Sequence, residues 1–167
     1  TPKGKLYGDL TVACLNEEKF MIFGSGVAQE MHRRWFENFL PKAGVNYKNR
    51  SDDFHGIAIS GPNSRKLLSK ICRDDVSNET LKFRDTRETF VGGVPVILNR
   101  ISFSGELGYE IYTNPQFQLK LFEEIEKYGR EFNLKLYGSR ALMSLRLEKN
   151  WGAWTLDFRP DFTPIEA

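Results

Sequence analysis

Apolar and polar positions recur in short blocks along this chain, and the period of each block predicts its element. Residues 6–12 alternate by twos, with Leu6, Gly8, Leu10 and Val12 on one face and Tyr7, Asp9 and Thr11 on the other, which predicts a strand. Lys19–Phe23 predicts a second strand, joined to the first through a turn at Asn16-Glu17-Glu18. Over residues 27–40 the period lengthens to that of a helix. Val27, Met31, Trp35, Phe36, Phe39 and Leu40 share its apolar side, and Pro41 ends it. Residues 54–60 read as a strand, after which Gly61-Pro62-Asn63 opens a helix to about Cys72. Residues 82–91 and 94–103 pair as strands around Gly92-Gly93, a strong hairpin signal. Asn114-Pro115 caps a helix with Phe117, Leu121, Ile125 and Tyr128 on one face, and a last helix runs over residues 139–149. The remainder, 151–167, is aromatic and proline-bearing with no period.

Strand pairs interrupted by single helices predict an α+β fold, a mainly antiparallel sheet with packed helices. The 167 residues suit one domain spanning 1–167. Both ends read as truncated, because Thr1 stands where a methionine would start a chain and Thr163 to Ala167 stops without a terminal helix or polar tail.

Charge narrows the partners. Lys and Arg number 24 against 22 Asp and Glu, and this balance argues against nucleic acid, whose binders concentrate basic side chains on one face. No apolar run approaches the roughly 20 residues of a membrane helix, so no membrane partner is expected. With no signal segment visible, the expected location is cytoplasmic. Cys14 and Cys72 have no metal or redox spacing and read as two free, buried thiols. His32 and His55 have no nucleophile partner by spacing and read as surface or satisfied core histidines; no metal site is expected. Residues 20–26, an apolar run ending in Gly24-Ser25-Gly26, imitate the start of a dinucleotide fold. Gln29 stands where that pattern needs a third small residue, and the neighbouring strands form hairpins, so the nucleotide reading is rejected.

The segment most loaded with candidate chemistry is 101–112, ISFSGELGYEIY. Gly105, Glu106, Gly108 and Glu110 are poor strand formers, so a turn or the close approach of a ligand has shaped it, with the turn favoured. Glu110 shares a face with Gly108 and Tyr112. Placed in a cleft, it requires a donor pair, from a guanidine-like ring edge or from Arg140 as a salt bridge. Asp9 sits where a strand disfavours aspartate and faces either water or a ligand. Arg140, Ser144 and Glu148 form one polar stripe on the last helix.

Three segments, KGKLYGDLTV (3–12), ISFSGELGYEIY (101–112) and YGSRALMSLRLEKNWGAW (137–154), followed by FRPDFTPIEA (158–167), together carry a family resemblance. In order and spacing they resemble the folate-binding domain of the glycine-cleavage T-protein (aminomethyltransferase), and more closely the related domain fused to dimethylglycine and sarcosine dehydrogenases. RLEK at 146–149 favours the dehydrogenase branch. The resemblance implies a partial folate-binding domain that carries out tetrahydrofolate-dependent one-carbon (aminomethyl) transfer. Its partners would be folate and a small substrate derived from a methylated amine, with an FAD-dehydrogenase or barrel domain missing. Asp9 matches the family's catalytic aspartate, although Gly8 replaces an acidic residue before it. Glu110 matches the glutamate that holds the pteridine, Arg140 the arginine facing the folate tail, and Phe103 a position often held by tyrosine. Two other readings are open at this stage: a non-catalytic folate-binding or regulatory module, and an inert fragment that needs a partner chain.

Overall fold

The computed structural model describes residues 1–154 and 156–167. It is α+β. Six strands, β1 (Thr11–Asn16), β2 (Lys19–Phe23), β3 (His55–Ser60), β4 (Thr86–Val91), β5 (Val94–Asn99) and β6 (Gly108–Thr113), form two antiparallel sheets. One is the hairpin β1-β2 and the other has the order β3-β6-β5-β4. Among the described residues, four α-helices accompany them: α1 (Gln29–Phe39), α2 (Ser64–Ile71), α3 (Gln118–Gly129) and α4 (Ser139–Glu148).

The period of two in β6 sorts the larger sheet into two faces. Tyr109 and Ile111 point to one side with Ile59, Leu98, Val96 and Val94, and α2 and α3 close over them through Leu67, Leu68, Leu121 and Ile125. Each fully buried side chain of this kind contributes about 1.5–3 kcal/mol, which makes this face the core. Gly92 and Gly93, both at positive φ, close the β4-β5 hairpin as expected, and the Asn114 side chain accepts from the Gln116 N–H to start the turn leading into α3.

Several expectations shift. The strand expected over 6–12 forms later, as β1. Residues 6–10 run without ladder partners, and the Leu6 N–H donates instead to the Phe162 carbonyl at 2.8 Å, so the aperiodic tail anchors the approach to β1. The strand expected over 82–91 begins at Thr86, because a turn held by Lys82 N–H on Asp85 Oδ2 (2.7 Å) and by Arg84 at φ 73° precedes it. Its partner, expected to reach 103, ends at Asn99.

In α1 the buried residue is His32, whereas Val27, expected on the apolar side, is 86% exposed in the turn before the helix. The helix packs on Tyr7 through Trp35 (4.5 Å between rings) rather than on the core of the larger sheet, so its apolar side is only half covered. The cysteines are free, but neither is buried: Cys14 is exposed and Cys72 half-buried. Cys14 shares the open face of β1-β2 with Val12, Phe20 and Ile22, which nothing described covers.

Candidate functional site

The second face of the larger sheet is polar where the first is apolar. Ala58, Glu110, Asn99 and Thr86 stand in one row across β3, β6, β5 and β4; Gly56, Tyr112, Ile97 and Glu88 form the next row. The β1-β2 hairpin lies against this face: Phe23 stacks on Tyr112 with rings 4.3 Å apart, and Lys19 pairs with Glu88 at 3.5 Å. Gly56 makes room for the Tyr112 ring, which would stand 3.0 Å from a Cβ placed there.

Between the hairpin and the sheet is a cavity of about 650 Å³, within the usual range for small-molecule sites. Asp9, Phe103 and Glu110 all line it, so three of the four residues singled out in the sequence meet on one space. Arg140 does not. It is exposed on α4, away from the cavity lining, with no salt bridge to Glu110. Trp151 and Trp154 form a further wall, held by Arg146. That guanidinium, 4% exposed, donates from Nη1 to the Trp151 carbonyl at 2.9 Å and to Asp157 Oδ2 at 2.6 Å.

Glu110 is half-buried, and its one donor among the described residues is the Tyr112 hydroxyl, at 2.7 Å to Oε2. Burial raises its pKa, and the Tyr112 hydrogen bond only partly offsets this. Burial and the adjacent carboxylate push the Tyr112 phenol far above its ordinary value, so it stays a donor. Because folding raises the Glu110 pKa, the protonated acid favours the fold. That contribution is complete below the unfolded pKa and is lost as pH rises through the folded one. Glu110→Gln should therefore melt above the unaltered chain at neutral pH, and the gap should close in acid. An equal gap at both pH values in thermal melts would refute this.

The glycines of 101–112 are explained by the chain itself. Gly105 has φ 74°, and a side chain there would strike Lys149, whose ammonium pairs with Glu106 at 3.1 Å. A Cβ at Gly108 would stand 2.6 Å from Ser102 Cβ and 2.9 Å from the Ile59 carbonyl. The turn reading holds for 101–107, while β6 itself is an interior strand.

Asp9 is exposed and lines the cavity, so it meets water and cavity at once. Gly8 beside it abuts the buried His32, and a Cβ at position 8 would collide with Nε2. His32 is thus a buried histidine whose Nε2 has no hydrogen-bond partner among the described residues, where a satisfied state was expected; His55 is exposed. Gly8→Ala should lower the melting temperature in the native background and do so much less beside His32→Ala, a coupling that a double-mutant cycle measures. Additive losses would show that the imidazole is not what excludes a side chain.

Sequence reasoning missed Thr86, Asn99, Tyr112 and Trp154. Thr86 and Asn99 were within reach, since pairing 91 with 94 around Gly92-Gly93 sets 86 opposite 99. The pairing of Asn99 with Glu110 was not, because the irregular segment 101–107 hides the register.

Comparison with known proteins adds the family context. The model for the GCVT N-terminal domain matches residues 1–167. The chain is 36% identical over 170 residues to a mitochondrial dimethylglycine dehydrogenase of Homo sapiens, covering all of this chain and 20% of that protein. It is 30% identical over 164 residues to an aminomethyltransferase of Halothermothrix orenii, covering 98% of this chain and 45% of that one. The chain thus spans about a fifth of the first relative's length and under half of the second's. Among solved structures, the heterotetrameric sarcosine oxidase of Corynebacterium sp. U-96 superposes with a TM-score of 0.63 at 18% identity, over 81% of this chain and 66% of that one, a likeness of fold.

Proposed function

Because the chain belongs to the GCVT N-terminal domain family, we propose that its cavity binds tetrahydrofolate and that Asp9 promotes transfer of an aminomethyl or imine-derived carbon to it. The observation that carries this reading is the meeting of Asp9 with Phe103 and Glu110 on one cavity, although Asp9 lies far from the other two in sequence. The bound tetrahydrofolate would supply the amine nitrogens that receive the carbon, giving methylene-tetrahydrofolate.

The protein's own groups divide the work. Glu110 keeps one carboxylate oxygen without a described donor, at the floor of the cavity, where it would accept from the N–H edge of the pteridine. Phe103 and the Phe23–Tyr112 stack offer aromatic walls for a flat ring. Phe103 lacks a hydroxyl, so it contributes packing alone. Asp9, toward the exposed side, would orient the reacting amine and accept its proton as a general base. Arg140 would meet the folate tail only where the ligand extends beyond the cavity, which makes its contribution small and screened. The names of the relatives favour a carbon source derived from a methylated amine such as dimethylglycine or sarcosine, which an FAD-dehydrogenase domain or partner would deliver.

Trp151 and Trp154 line the cavity, so a ligand bound there would alter their surroundings. Titration with tetrahydrofolate should change tryptophan fluorescence saturably. A flat titration would refute the reading.

A further inference from the structure

Among the described residues, four buried side-chain nitrogens have no hydrogen-bond partner, and Asn99 Nδ2, Arg100 Nε and Trp154 Nε1 belong to residues that line this cavity. Buried donors without partners are rare, because each forgoes the hydrogen bonds it had in water. Asn99 is the most enclosed of the three, at 2% exposed. Its orientation is set from one side: the Thr86 hydroxyl donates to Oδ1 at 2.9 Å, which leaves the amide nitrogen for another acceptor. Its neighbour across the ladder is Glu110, and side chains directly opposite on a sheet face stand about 5 Å apart at Cβ. The floor of the cavity therefore presents a neutral donor beside a carboxylate acceptor.

We propose that Asn99 is a specificity residue that recognises a ring carbonyl next to an N–H, the lactam edge of a 4-oxopteridine. This rests on the folate reading above and deepens it. The complement of a donor-acceptor pair is an acceptor-donor pair. A lactam supplies this, with its oxygen accepting from Asn99 Nδ2 and its N–H donating to Glu110. A 4-amino pteridine reverses both positions, setting an amino group against the amide donor and an unprotonated ring nitrogen against the carboxylate. The site then loses both hydrogen bonds, and the one at Asn99 leaves a buried donor opposed. Thr86 takes part by holding the amide in the donating orientation.

The test compares dissociation constants for tetrahydrofolate and its 4-amino counterpart, read by tryptophan fluorescence. The proteins are the unaltered chain, Asn99→Leu, Thr86→Val and Glu110→Ala. The unaltered chain should prefer the 4-oxo ligand. Asn99→Leu should shrink that preference by about tenfold, the size of one buried hydrogen bond, by weakening the 4-oxo ligand and not the 4-amino one. Thr86→Val, an isosteric change that keeps the amide, should shrink it by less and decides the matter if Asn99→Leu does not fold. A role in packing alone would weaken both ligands equally and leave the ratio unchanged, which would overturn the inference. If tetrahydrofolate binds and Glu110→Ala weakens it about a hundredfold while both other variants keep the full preference, this inference falls and the folate reading stands. If the unaltered chain binds neither ligand, both fall.

Discussion

Glu110→Ala should weaken tetrahydrofolate binding by about a hundredfold, since two hydrogen bonds to a charged group are worth roughly 1.5–3 kcal/mol each. Part of that gain is offset in the free protein, where the carboxylate is half-buried with Tyr112 as its described donor and its pKa is raised. Removing it relieves the free state as well as the complex, so the lower end of the range applies. The same titration on Arg140→Ala, an exposed side chain outside the cavity lining, should show only a few-fold loss, as expected of screened surface charges. The contrast is the informative part. If Arg140→Ala weakened binding more than Glu110→Ala, the ligand would be held by the helix surface and not by the floor of the cavity.

Asp9→Asn should leave binding nearly intact and lower transfer by about 10²–10⁴-fold, the contribution of a positioned general base. Asparagine keeps the size and hydrogen-bonding reach of aspartate but cannot take a proton. Asp9 is exposed and none of the described side-chain hydrogen bonds ends on it, so the substitution breaks nothing in the fold. The assay follows methylene-tetrahydrofolate formed from tetrahydrofolate with sarcosine and formaldehyde, whose condensation supplies an imine-level carbon, above the rate without protein. Equal turnover by Asp9→Asn would remove the catalytic role. Binding without turnover in the unaltered chain would instead favour a folate-binding module that transfers nothing.

Much of the frame was legible because its signals are local. The Gly92-Gly93 turn sets the β4-β5 register, and the spacing of Leu121 and Ile125 puts α3 on the sheet with its apolar side inward. Asp9 and Glu110 stood out for a different reason: Glu110 is a residue that a strand disfavours, Asp9 was expected in a strand that begins only at Thr11, and a resemblance in three separated segments tied them together. What escaped depends on distant contacts. The start of β1 moved because Leu6 bonds to Phe162, more than 150 residues away, and no alternation pattern carries that information. His32 lay among charged neighbours on α1, so its burial against Gly8 and Gly24 was invisible in the helical period. The walls formed by Trp151 and Trp154 depend on Arg146 holding the aperiodic tail through a backbone carbonyl and Asp157, an arrangement with no repeat to detect.

The central claim is that the pteridine ring rests on the polar face of the larger sheet at Glu110. A crystal structure of the chain with tetrahydrofolate tests it most directly. The ring should lie within hydrogen-bond distance of the Glu110 carboxylate, walled by Phe103 and Tyr112, with Asp9 toward the reacting amine. Tetrahydrofolate seated elsewhere, for example in the neighbouring cavity beside Arg33 and Tyr47, would contradict the account.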